Sequence, residues 1–78
     1  MTVYELLRET VGIYQKISIT DYSNENEEGP YTVYEGLCWQ CPYSEEKHKQ
    51  NHYSKAKVDG IEAEDNTIII SIGIELPK

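Results

Sequence analysis

The chain has 78 residues, enough for one domain, and a domain of that size buries only about 60% of the surface its unfolded chain exposes, so its core is thin. Fourteen acidic against seven basic residues leave a net charge of −7, which opposes direct contact with a nucleic-acid backbone. A thin core disfavours a deep substrate pocket, no run approaches the roughly 20 apolar residues of a membrane span, and the first residues lack a basic-then-apolar leader, so the expectation is a cytoplasmic protein that works through its surface.

Thr2-Val3-Tyr4-Glu5 spells a capping box, with the Thr2 hydroxyl and the Glu5 carboxylate each placed to accept the other's amide. Val3, Leu6, Leu7, Thr10, Val11 and Tyr14 then follow helical spacing, with Glu5, Arg8 and Glu9 towards solvent and Gly12 at the fraying end. At Lys16 the period drops to two. Ile17 and Ile19 share one face and Lys16, Ser18 and Thr20 the other, which predicts a half-buried strand running to about Tyr22.

Residues 23–30 hold no apolar side chain and end in Gly29-Pro30, an exposed acidic loop. Residues 31–38 are rich in aromatic and β-branched side chains and complete a hairpin with an acidic tip. Residues 42–54 are polar almost throughout, and without an apolar stripe they predict a polar loop with one or two exposed turns. Residues 55–64 alternate again, changing parity near Gly60 as a bulge would require. Asp65-Asn66 marks a tight turn into residues 67–75, whose Ile68, Ile70, Ile72 and Ile74 share one face. That face needs a cover, and the N-terminal segment is the one amphipathic helix in the pattern. The expected fold is α+β: a single domain over residues 1–78, with one N-terminal helix packed on a four-stranded, mainly antiparallel sheet.

The charge is unevenly placed. Residues 1–39 carry seven acids and two bases, residues 40–60 three and four, and residues 61–78 four and one. Cys38 and Cys41 are three apart, and His48 and His52 four apart, spacings that can converge on tetrahedral zinc. Six residues between Cys41 and His48 are about half the gap of a usual finger, so zinc stands as the alternative to an absence of cofactors. Without a metal, Cys38 is a small strand hydrophobe, Cys41 lies near the surface, and the histidines decorate a solvated loop. A redox role for Cys-Trp-Gln-Cys is disfavoured, because thioredoxin-like sites set the first cysteine at a helix N-terminus. No spacing presents a nucleophile with its base, and no phosphate-binding loop is present, so no enzyme is predicted.

Seven tyrosines and one tryptophan stand against no phenylalanine, a set that suits interfaces because each ring carries a polar handle. Tyr22, Tyr31, Tyr34 and Trp39 are expected on the first hairpin near its acidic tip. Asp21, Glu25, Glu27 and Glu28 with Tyr22, Tyr31 and Tyr34 form the predicted partner-binding surface. Its carboxylates are placed to imitate a nucleic-acid backbone before a basic groove. Unpaired strand edges give a further route, association of the chain with copies of itself, including a homodimer.

The opening Met-Thr-Val-Tyr-Glu-Leu-Leu, the strand Ile-Ser-Ile-Thr-Asp-Tyr, Tyr34-Glu35-Gly36 and the run from Val58-Asp-Gly-Ile-Glu-Ala-Glu to the last strand resemble small proteins of bacteriophages and prophages of Gram-positive bacteria. Residues 38–52 depart from that pattern. The resemblance implies an inhibitor of host defence in an infected or lysogenic cell, of the anti-CRISPR kind that occupies the nucleic-acid groove of a Cas nuclease. It carries no catalytic residue across, since the matching positions are caps, core and turns.

Overall fold

The structure is a computed structural model and describes residues 1–23 and 30–73. The capping box closes as spelled: Thr2 Oγ1 accepts the Glu5 amide at 3.1 Å, and Glu5 Oε1 accepts the Thr2 amide at 3.0 Å. It starts α1 (Val3–Glu9), which turns Val3, Leu6 and Leu7 into the core. Four strands follow, β1 (Lys16–Asp21), β2 (Tyr31–Leu37), β3 (Val58–Glu64) and β4 (Thr67–Ile72).

The sheet order is β2-β1-β4-β3. Two antiparallel hairpins, β1–β2 and β3–β4, meet along a central parallel pair, β1 with β4. The sheet is therefore mixed, which corrects the expectation of a mainly antiparallel one. A parallel pair cannot be closed by a tight turn and needs a crossover of a dozen or more residues. Here the chain passes from β1 to β4 through β2, residues 38–57 and β3, with residues 38–57 crossing from one edge of the sheet to the other.

This segment is where the sequence reading departs most from the structure. The polar loop expected at residues 42–54 contains the 3-10 turns Pro42–Ser44 and Glu46–His48, preceded by Cys38–Gln40; residues 46–52 are largely exposed as expected, but both ends of the segment turn onto the core. Cys41 and Ser54 are fully buried in it, and Tyr43, Tyr53 and Ala56 pack on the core. Ser54 is accommodated because its hydroxyl donates to Tyr43 O at 3.3 Å and its carbonyl accepts the Tyr4 amide at 2.9 Å. With α1 it covers Ile17, Ile19, Ile70 and Ile72, all buried. Ile74 lies outside the described residues.

The outer edge of β3 is partly occupied by the start of the chain. Thr2 bridges Lys57, Val3 donates to Ala56 O at 2.9 Å, and Val58 donates to Met1 O at 2.9 Å. The β3–β4 ladder slips between Val58 and Gly60, the predicted bulge, with Asp59 as the extra residue. Among the described residues no helix is long and apolar enough to cross a membrane.

Asp65 and Asn66 take φ of 53° and 63°, the left-handed pair of a two-residue type I′ hairpin. Replacing Asn66 by Val, whose branched side chain resists positive φ, should cost about 1–2 kcal/mol in a urea titration. Asn66→Gly should be neutral or slightly stabilising. Equal costs for the two variants would show that the turn does not depend on this backbone geometry.

Candidate functional site

In the parallel register Asp21 pairs with Ile72, and in the antiparallel register it pairs with Tyr31, so three strand ends meet at one end of the sheet. Beyond β1 the Tyr22 amide donates to Ile72 O at 2.8 Å, and the Ser23 amide donates to Asp21 Oδ1 at 2.8 Å. This bond holds the Asp21 carboxylate at the strand end. Gly73 turns away at φ 76°, where a Cβ would stand 2.6 Å from the Ser23 nitrogen and 2.7 Å from Asp21 Oδ1. Only glycine lets β4 end this close to the carboxylate.

An open cleft of about 400 Å³ lies here. Ile72, Gly73 and Ala56 give it apolar walls, while Asp21, Asp59, Lys57, His52 and Tyr53 supply polar groups. The His52 ring lies tilted over Tyr53 at 4.0 Å between centroids, and Tyr53 meets Tyr43 edge-on at 5.5 Å. The Tyr53 hydroxyl is held above its usual pKa, first by burial and then by the charges of Asp21, Tyr31 and Tyr43, so it stays a neutral hydrogen-bonding group.

Of the seven predicted surface residues, Asp21, Tyr22 and Tyr31 come together at this end, with Tyr22 39% and Tyr31 58% exposed. Glu25, Glu27 and Glu28 lie outside the described residues. Tyr34 is half-buried against the core, its hydroxyl donating to Leu37 O at 2.7 Å and its ring crowding Gly36, so it fastens β2. Trp39 follows the far end of β2, roughly 20 Å from Tyr31 at the usual rise per residue, and not near the acidic tip. Tyr53 and Asp59 were not read as part of a surface, and His52 only as a zinc candidate, because no pattern in the sequence marks which residues meet at a strand end.

The four zinc candidates are not collected. Cys38 and Cys41 are buried free thiols, His48 Nε2 stands 3.9 Å from Glu45 Oε1, and His52 lies on Tyr53. Among the described residues no three His, Cys, Asp or Glu side chains come together as a metal site requires. The buried position of Cys41 corrects its expected place near the surface. No family model, no curated protein and no solved structure matches the chain.

Burial drives the Cys41 thiol from 9.0 up to about 11, with the neighbouring Cys38 adding to the rise. The fold thus favours the neutral thiol. Its contribution to stability is complete below pH 9, where the unfolded thiol is also neutral, and is lost as pH rises towards 11. Urea midpoints should fall over this window, and less steeply in Cys41→Ala, where the tyrosines raised by burial keep part of the slope. An identical decline in both proteins would show that Cys41 ionises as freely folded as unfolded.

Proposed function

We propose that the chain is a non-enzymatic binding protein that docks on a basic macromolecular partner through the end of the sheet bearing Asp21, Tyr22 and Tyr31. The observation that carries this reading is a fixed carboxylate, Asp21, lining an open cleft and paired across the strands with the exposed Tyr31, in a chain of net charge −7. Rings of this kind supply contact area at low entropic cost, and an acidic surface speeds the approach of a basic one. Asp21 and Asp59 outnumber Lys57 in the lining of the cleft, and with the Tyr53 ring they suit an arginine or lysine side chain. Glu25, Glu27 and Glu28 extend the acidic surface in sequence. The likeness to phage proteins supports a host protein with a nucleic-acid groove, such as a Cas nuclease, as the class of partner.

Asp21→Asn keeps the Oδ1 acceptor for Ser23 and removes the charge. Combined with Gln at Glu25, Glu27 and Glu28, it should slow association with a captured basic protein by about tenfold at low salt and flatten the salt dependence. Tyr31→Ala should instead speed dissociation. Duplex DNA added to the complex should displace the protein. Retention of the same lysate proteins by wild type and both variants, unaffected by DNA, would refute this docking mode.

A further inference from the structure

Cys38 and Cys41 serve neither a metal site nor the docking end, yet the start of the crossover is built around the turn that joins them. The Cys41 amide donates to Cys38 O at 3.0 Å and closes the 3-10 turn Cys38–Gln40. At three residues per turn and a rise of about 2 Å per residue, the first and fourth positions of such a turn lie one above the other, about 6 Å apart. Burial follows the same geometry. Cys38 and Cys41 are 2% and 0% exposed and belong to one core cluster, while Trp39 and Gln40 between them face water, Trp39 at 51%. Both thiols therefore stand on the inner side of a single turn.

The backbone of that turn is held at each cysteine. The Cys38 amide donates to Gln15 O at 2.9 Å, and the Trp39 amide donates to Ile13 O at 3.0 Å. These two bonds tie it to the Ile13-Tyr14 turn, which the Gln15 amide closes on Gly12 O at 3.0 Å. On the other side the Ser44 hydroxyl reaches Cys41 O at 2.9 Å and Cys38 O at 3.4 Å, bracketing the pair. Disulfides join Cα atoms about 4.4–6.8 Å apart, a span this turn supplies with its backbone already in place. The polar contact that bridging removes is a weak one, the donation from Cys38 Sγ to Leu7 O at 3.7 Å.

We propose that Cys38 and Cys41 form a reversible redox modification site, bridged within one chain by a disulfide when a small disulfide of the glutathione class is in excess. One thiolate attacks a sulfur of the oxidant and expels one small thiol. The second thiolate then attacks the protein sulfur of that mixed disulfide and expels the other. The protein loses two S–H bonds and gains one S–S bond, the oxidant becomes two thiols, and two electrons pass from the one to the other. Because both sulfurs are buried, exchange proceeds when the turn opens from the sheet, and the fold then selects the internal bond as product. This is a staple at the entry to the crossover, distinct from the exposed exchange centre of an oxidoreductase, and it stands apart from the reading of the acidic end.

Equilibration of the protein with mixtures of reduced and oxidised glutathione tests the proposal, once in urea below the unfolding midpoint and once above it, with acid quenching and mass spectrometry. The product should be lighter than the reduced chain by two hydrogen atoms. Its equilibrium constant should be at least about tenfold greater in the folded protein than in the unfolded one, since the turn already brings the sulfurs together. By linkage the oxidised protein should unfold at higher urea. Between pH 9 and 11 its midpoints should fall no more steeply than those of Cys41→Ala, because no thiol remains to ionise. Glutathione adducts or disulfide-linked dimers in place of the internal bond, or a constant no greater in the folded protein than in the unfolded one, would overturn the proposal.

Discussion

Four isoleucines set the terms for this fold. Ile17, Ile19, Ile70 and Ile72 face one side of the sheet and are buried, and each contributes about 1.5–3 kcal/mol only if water is kept away from it. A helix of seven residues spans about 10 Å and cannot shield a four-stranded sheet. The chain has no phenylalanine to spread over the gap. The remaining cover comes from the crossover, and the crossover exists because β1 and β4 run parallel. Topology and burial are one constraint here: the connection that permits the parallel pair is also the lid over its side chains.

Lying close to the sheet limits what the crossover can contain. Cys38, Cys41 and Ser54 are small, so the backbone can approach, and the larger Tyr43 and Tyr53 keep part of their surface in water. The thiols serve here as compact apolar volume, consistent with the upward shift of both pKa values by burial. The same segment reaches both ends of the sheet. It leaves β2 with Trp39 beside the Ile13-Tyr14 turn and returns towards β3 with His52 and Tyr53 beside Asp21. The Trp39 end and the Asp21 end are thereby joined by one connection, anchored in the core at Cys38 and Cys41 on one side and Ser54 on the other.

What could be read from the sequence was local. Thr2 with Glu5, the alternation of Ile17 and Ile19, the Asp65-Asn66 turn and the bulge near Gly60 are written in neighbouring residues, and each appears where the pattern puts it. The neighbour of β1 across the sheet was not, because alternation gives a strand its faces without giving it a partner or a direction. The crossover was illegible for a related reason. Its buried residues follow no period, and the solvated run containing Glu45, Glu46, Lys47 and Lys49 hides the core contacts of Cys41 and Tyr43 before it and Tyr53 and Ser54 after it. Of the candidate surface, Asp21, Tyr22 and Tyr31 were legible as a hairpin end. Tyr34 was not separable from them, since only its partner at Leu37 O shows that it faces inward.

The place of β4 also governs the order in which the molecule can be assembled. It is the last strand in the described chain and lies inside the sheet, flanked by β1 and β3. Until it is inserted, the first hairpin has no parallel neighbour, and Ile17 and Ile19 lack Ile68 and Ile70 beside them. On a ribosome, synthesis from the N-terminus at about 5–20 residues per second leaves that apolar hairpin waiting for seconds while the rest of the chain emerges. A sheet closed from its middle cannot mature strand by strand, and in that interval the net charge of −7 opposes association of one exposed hairpin with another.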